Sequence, residues 1–147
     1  RVEKMNKKGF TLVELISVVV LLSIILILVI PAYTQIEGQI KNSNLKNKKS
    51  MISNAMLEYA NTNLLDKLKP LGQTGTNELY YSLDYIIANN IFAASETDSQ
   101  GNKMFLNPIT NDKLYGCIKV TYDVNKFEVK TEFIDKNNQA EMDNCKG

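Results

Sequence analysis

Hydrophobic residues are distributed unevenly along the chain. From Phe10 to Ile30 the sequence FTLVELISVVVLLSIILILVI runs for 21 residues with a single charge, Glu14. As a helix it would be about 31 Å long at about 1.5 Å per residue, close to the ~30 Å hydrocarbon thickness of a bilayer. A helix that is apolar on every side needs lipid or an enclosing core. A chain of 147 residues can hardly enclose one of this length. The preceding RVEKMNKKG sets Arg1, Lys4, Lys7 and Lys8 against Glu3. Such a basic flank stays cytoplasmic and directs the residues beyond the apolar run to the outside. That run exceeds the ~7–15 residues of a secretory signal, and Pro31-Ala32-Tyr33 is a poor cleavage site after it.

Beyond Pro31 the pattern changes. In residues 32–69, Ile36, Ile40, Ile52, Ala55, Met56, Tyr59 and Leu68 recur at three- and four-residue steps or their sums, which predicts an amphipathic continuation of the same helix. Pro31 should kink that helix, and Pro70-Leu71-Gly72 should end it. Residues 71–77 read as a loop and 77–94 as a short helix, with Asn77 as N-cap and Leu79, Leu83, Ile86 and Ile87 on one face. Ser95 to Lys103 is a polar turn, and Met104–Ile109 a possible strand. In Leu114–Val124, Ile118, Val120, Tyr122 and Val124 alternate with polar residues. In Phe127–Ile134, Phe127, Val129 and Phe133 do the same. Asn125-Lys126 between them suggests a two-residue hairpin. The chain therefore predicts an α+β fold: a long N-terminal helix, its second half packed on a small C-terminal antiparallel sheet. The expected segments are a leader (1–9), a transmembrane helix (10–31), its amphipathic continuation (32–69) and a globular head (70–147).

Composition then removes whole classes of chemistry. The chain has no His and only two Cys, so Ser-His-Asp and Cys-His nucleophiles and the usual zinc sites are excluded. The net charge of +1 points to no nucleic-acid partner. Asp98 and Asn102 in the polar turn are too few for calcium, which takes six to eight oxygens. No phosphate loop and no nucleophile-base pair is present, so neither enzyme activity nor a cofactor is expected.

Lys7-Lys8-Gly9-Phe10-Thr11-Leu12-Val13-Glu14-Leu15 resembles the leader signature of type IV pilins and pseudopilins. A short basic leader ends in Gly, Phe follows, a carboxylate stands fifth after the Gly, and an apolar helix continues. The resemblance implies cleavage between Gly9 and Phe10 by a prepilin peptidase, then N-methylation of Phe10. Gly9 suits the first step because the absent side chain lets a peptidase approach the backbone. The resemblance also implies a pilin fold, a membrane-anchored precursor with its head outside, and an assembly platform that moves it into a surface filament with other pilins. Pilin-like chains often carry Pro at the position of Pro31. Many also bracket a C-terminal loop with a disulfide, which here implies a Cys117–Cys145 bridge on the polar face of its strand.

Two readings of Glu14 stand side by side. A carboxylate within a membrane helix is a functional residue by default, and the resemblance gives it a partner, the new amine of Phe10 on a neighbouring subunit. Alternatively Thr11 and Glu14 form a capping box that closes the helix start. Lys41, Lys46, Lys48 and Lys49 oppose only Glu37 nearby. They read as a solvated helix face, or as a contact with acidic neighbouring subunits or with DNA. The expected function is a structural subunit of a type IV pilus-like filament. Alternatives are a pseudopilin of type II secretion or competence DNA uptake, and a permanently anchored extracellular binding module.

Overall fold

A computed structural model of the chain describes residues 10–69, 75–94 and 96–145. The leader residues 1–9, with Gly9, and the expected helix stop at Pro70-Leu71-Gly72 lie outside the described residues. The architecture is α+β. The chain divides into two compact units between Ile40 and Lys41, and the helix α1 (Leu12–Tyr59) contributes to both. In the first unit α1 is the whole of the described structure beyond Phe10 and Thr11.

In the second unit, α1 runs into a π-helical turn (Ala60–Leu64) and then α2 (Leu65–Leu68). The face this stretch buries is Ile52, Met56, Ala60, Leu64 and Leu68. All five are spaced by four residues. In an α-helix a four-residue step overshoots one turn by about 40°, so four such steps would carry the row about 160° around the axis. The π turn inserts one extra residue and takes back about 100° of that drift, which keeps Leu64 and Leu68 on the buried stripe. Its displaced carbonyls find side-chain donors in the polar run Asn61-Thr62-Asn63. Asn61 Nδ2 donates to Leu57 O at 3.0 Å, Thr62 Oγ1 to Glu58 O at 3.1 Å and Asn63 Nδ2 to Tyr59 O at 3.3 Å. Ile36 and Ile40, expected on the amphipathic face, are exposed in the first unit.

Against this row lies a three-stranded antiparallel sheet in the order β1 (Thr76–Ser82), β4 (Gly116–Asp123), β5 (Glu128–Asp135). Ile118, Val120 and Tyr122 of β4 and Val129 of β5 join the helical row in one core, with Leu83, Ile86, Phe105 and Leu114. Asn77 Nδ2 donates to Leu68 O at 2.8 Å, so β1 supplies a partner for a carbonyl at the end of the helix. A two-stranded ribbon of β2 (Glu96–Thr97) and β3 (Lys103–Met104) completes the sheet structure.

Three local expectations are corrected. Residues 77–94 are not one helix: Thr76–Ser82 is strand β1, and only Leu83–Ala88 is helical (α3), capped by Ser82, whose Oγ accepts from Tyr85 N at 3.1 Å. The tyrosines of Asn77-Glu78-Leu79-Tyr80-Tyr81-Ser82 favour a pleated surface. The hairpin between β4 and β5 has four linking residues, not two. Asp123 Oδ1 accepts from Asn125 N and Lys126 N at 3.0 and 3.2 Å, and Phe127 takes a left-handed φ of 52°. Phe127 is thereby exposed and leaves the apolar face assigned to it. The possible strand at Met104–Ile109 shrinks to the end of β3 and an isolated bridge between Leu106 and Lys113.

Cys117 and Cys145 are joined by a disulfide. Cys117 pairs in register with Ile134, and both are buried although they lie on the sheet face away from the helix. The C-terminal tail, with the short helix α4 (Gln139–Met142), accounts for that cover. Reducing the bridge, which closes a 28-residue separation, is expected to lower stability by about 3–4 kcal/mol on the chain-entropy relation. Denaturation of the full chain in detergent with and without reductant measures this.

Gly116 has a packing reason. A Cβ there would meet the Phe133 ring at 2.4 Å and Ile134 O at 2.9 Å. Gly116→Ala should therefore destabilise the head by about 1–3 kcal/mol through overpacking. Phe133→Leu in the same chain should recover part of that loss in the same denaturation series.

Candidate functional site

The helix begins immediately after Thr11, and the side chains around its first turn close it. Glu14 N donates to Thr11 Oγ1 at 3.3 Å. In return Glu14 Oε2 accepts from Thr11 N at 2.9 Å and from Thr11 Oγ1 at 3.0 Å. This is a reciprocal capping box. Both of the carboxylate's bonds land on one oxygen, Oε2. Phe10, just outside the helix, is 84% exposed.

Every side chain from Phe10 to Pro31 is exposed in the isolated chain. A run of predominantly aliphatic side chains with no protein cover is a surface built for an apolar surrounding. The two serines within it follow the same rule. Ser17 Oγ donates to Val13 O at 2.7 Å and Ser23 Oγ to Val19 O at 2.8 Å, so neither hydroxyl needs water. Glu14 is the one charged side chain in the run. This helix is long and apolar enough to cross a membrane. Pro31 lies inside α1, where its missing N–H removes one intrahelical bond.

The expected lysine cluster divides. Lys48 Nζ pairs with Glu96 at 3.1 Å and donates to Leu106 O at 3.0 Å. Lys49 pairs with Asp135 and lies 5.1 Å from the centre of the Phe133 ring. Two of the four lysines thus tie the helix to the rest of its own unit. The sequence spacing could not show this, because the partners stand 48 and 86 positions away. The reading of all four as a solvated or DNA-facing surface is corrected to that extent. Asp98 in the β2–β3 turn accepts from Gln100 N, Asn102 N and Asn102 Nδ2 at 2.8–2.9 Å, and the Asn102 side chain above all holds its carboxyl below the usual range. Among the described residues no cluster of three or more metal-ligating side chains occurs.

The sheet face away from the helix carries a charge cluster that the sequence pattern does not single out. Lys119 Nζ lies 2.9 Å from Glu78, 3.5 Å from Glu141 of α4 and 5.7 Å from the centre of the Tyr80 ring. It joins strand β1 to the disulfide-bound tail. The alternation Lys119-Val120-Thr121 does indicate that Lys119 faces outward, but its partners come from segments whose pairing the sequence leaves open.

These features define a class: a protein with an N-terminal helix of membrane length that continues into a small antiparallel α+β unit. The prokaryotic N-terminal methylation motif matches residues 4–30. That motif is the class III leader signature of type IV pilin-like and pseudopilin precursors, and it points to a structural, non-enzymatic family. The signature and the apolar helix together fit membrane anchoring. No curated protein and no solved structure matches the chain.

The Lys119 cluster has a testable pH signature. Hydrogen bonding to Lys119 holds the Glu78 carboxyl below its usual value, and Glu78 in turn holds the Lys119 ammonium above its own. The stability contributed by Glu78 is present above the ordinary carboxylate value of about 4.3 and is lost as pH falls through the lower folded value. The stability contributed by Lys119 is complete below about 10.4 and is lost as pH rises beyond it. Lys119→Met should therefore flatten the dependence of the urea midpoint on pH below about 5.

Proposed function

We propose that the chain is the precursor of a structural subunit of a type IV pilus-like filament. Prepilin peptidase cleaves it after Gly9, and Phe10 becomes the N-methylated first residue. Residues 10–31 hold the precursor in the cytoplasmic membrane, with residues 70–147 outside. An assembly platform then moves the helix from lipid into the core of a filament of like subunits, where Pro31 bends it. The exchange is close to balanced because parallel apolar helices replace lipid as the surroundings of the same side chains. The subunit has no catalytic role in this reading.

The observation that carries the reading is the methylation motif laid over a fully uncovered apolar helix that holds one carboxylate. Cleavage places a positive amine four residues before Glu14. In a growing filament, Glu14 pairs with that amine on a neighbouring subunit. Two opposite charges meeting in apolar surroundings offset much of each other's desolvation. The capping box is compatible with this, since it occupies Oε2 and leaves the lone pairs of Oε1 for an ammonium. The pairing would fix the stagger between adjacent helices.

Expressed in a pilus-assembling host, Glu14→Ala should leave insertion and leader cleavage intact and reduce surface filaments at least tenfold relative to the membrane pool. Thr11→Ala removes the cap and keeps the carboxylate, so it should assemble far better than Glu14→Ala. Equal filament yield from Glu14→Ala and the unaltered chain would overturn the assembly role. N-terminal sequencing that finds an intact leader would instead favour a permanently anchored binding module.

A further inference from the structure

The head carries a cleft of about 510 Å³ that the filament reading does not use. Its walls come from three separate stretches: α1 at Leu45 and Lys49, the loop from Asn107 to Tyr115, and the end of β5 with Lys136 and Asn137. The size is that of a pocket for a small organic ligand.

Its chemistry is specific. Tyr115, 54% exposed, offers an aromatic ring at the cleft, with Lys113 Nζ 5.8 Å and Lys136 Nζ 5.1 Å from its centre. The three ammonium groups differ in what they already hold. Lys49 is paired with Asp135, and Lys113 with Asp84 at 2.9 Å. Among the described residues Lys136 meets the Tyr115 ring and no carboxylate within ion-pair distance. One cation is thus left for one negative charge. Asp112, Thr110 and Asn137 add a carboxylate, a hydroxyl and an amide at the same mouth.

The loop that presents these groups is braced. Asn107 N donates to Asp112 O at 2.8 Å and Asn111 N to Asn107 O at 2.9 Å, with Asn111 at a left-handed φ of 59°. Leu114 N donates to Phe105 O, and both side chains are buried in the core. A braced loop loses little entropy on binding.

We propose that this cleft binds an acidic saccharide, a short glycan carrying one carboxylate near the aromatic ring. The C–H face of a pyranose suits the Tyr115 ring, and its hydroxyls match the alternating donors and acceptors of Asp112, Thr110 and Asn137. Its carboxylate meets Lys136. A nucleic acid fits less well. The cleft sets Asp112 and Asp135 beside its lysines, and successive phosphates would face both carboxylates. The inference is independent of filament assembly, and its test reads binding by the purified chain alone.

The test is calorimetric titration of the full chain in detergent micelles. The probes are uronate- and sialate-bearing trisaccharides, a neutral galactose trisaccharide, and a single-stranded deoxythymidine oligonucleotide. The expected result is saturable binding of at least one acidic trisaccharide, at least tenfold tighter than the neutral one. Tyr115→Ala and Lys136→Gln should each weaken it at least fivefold with an unchanged thermal midpoint, and Tyr115→Phe should retain it. Absence of saturable binding by every acidic probe overturns the proposal. So does binding that survives both Tyr115→Ala and Lys136→Gln, or tighter binding of the oligonucleotide, which would make the cleft a nucleic-acid site.

Discussion

The molecule depends on one helix meeting two incompatible requirements along its length. Near its start the side chains have no protein to pack against, so the helix is apolar all round and even its serines bond their own backbone. Near its end a single narrow stripe must fit a sheet while the other faces meet water. The lone carboxylate and the proline mark the ends of the first regime. The π turn lies in the second, where packing and not lipid determines which residue faces inward.

Much of this is legible in the chain. The apolar run has a length and uniformity that few other structures produce, and Thr11 with Glu14 at the fixed spacing of a capping box reads directly as a helix start. The period-two alternation of residues 117–124 survives as β4 almost unchanged. Residues 77–82 mislead because Leu79, Leu83, Ile86 and Ile87 satisfy a helical spacing while Asn77, Leu79 and Tyr81 satisfy a strand spacing. Short segments of this kind are decided by what pairs with them, here β4. The turn at Phe127 is hidden for a related reason. An aromatic residue in a left-handed conformation is rare, and here it follows a loop tied down by Asp123.

Electrostatics is the least legible layer. A run of lysines on a helix looks like a surface field until the partners are known. Lys48 and Lys49 find Glu96 and Asp135 through the fold, and Lys119 collects Glu78 and Glu141 from opposite ends of the head. Such pairs contribute modest stability where they are exposed. Their larger effect is to fix which strand, tail and helix face one another. The disulfide does the same covalently at the far side of the sheet, where Cys117 and Ile134 would otherwise lie open to solvent.

The π turn also makes the packing of the helix depend on its winding near residue 62. Removing one residue from Ala60–Leu64 would restore an ordinary α-helix and cost little locally. It would also leave everything N-terminal to the gap in its present orientation, because the π turn already offsets its extra residue by about 100°. Ile52 and Met56 would then stay on the sheet with Leu64 and Leu68, whereas the same five residues wound as an ordinary α turn would swing them about 100° away from it.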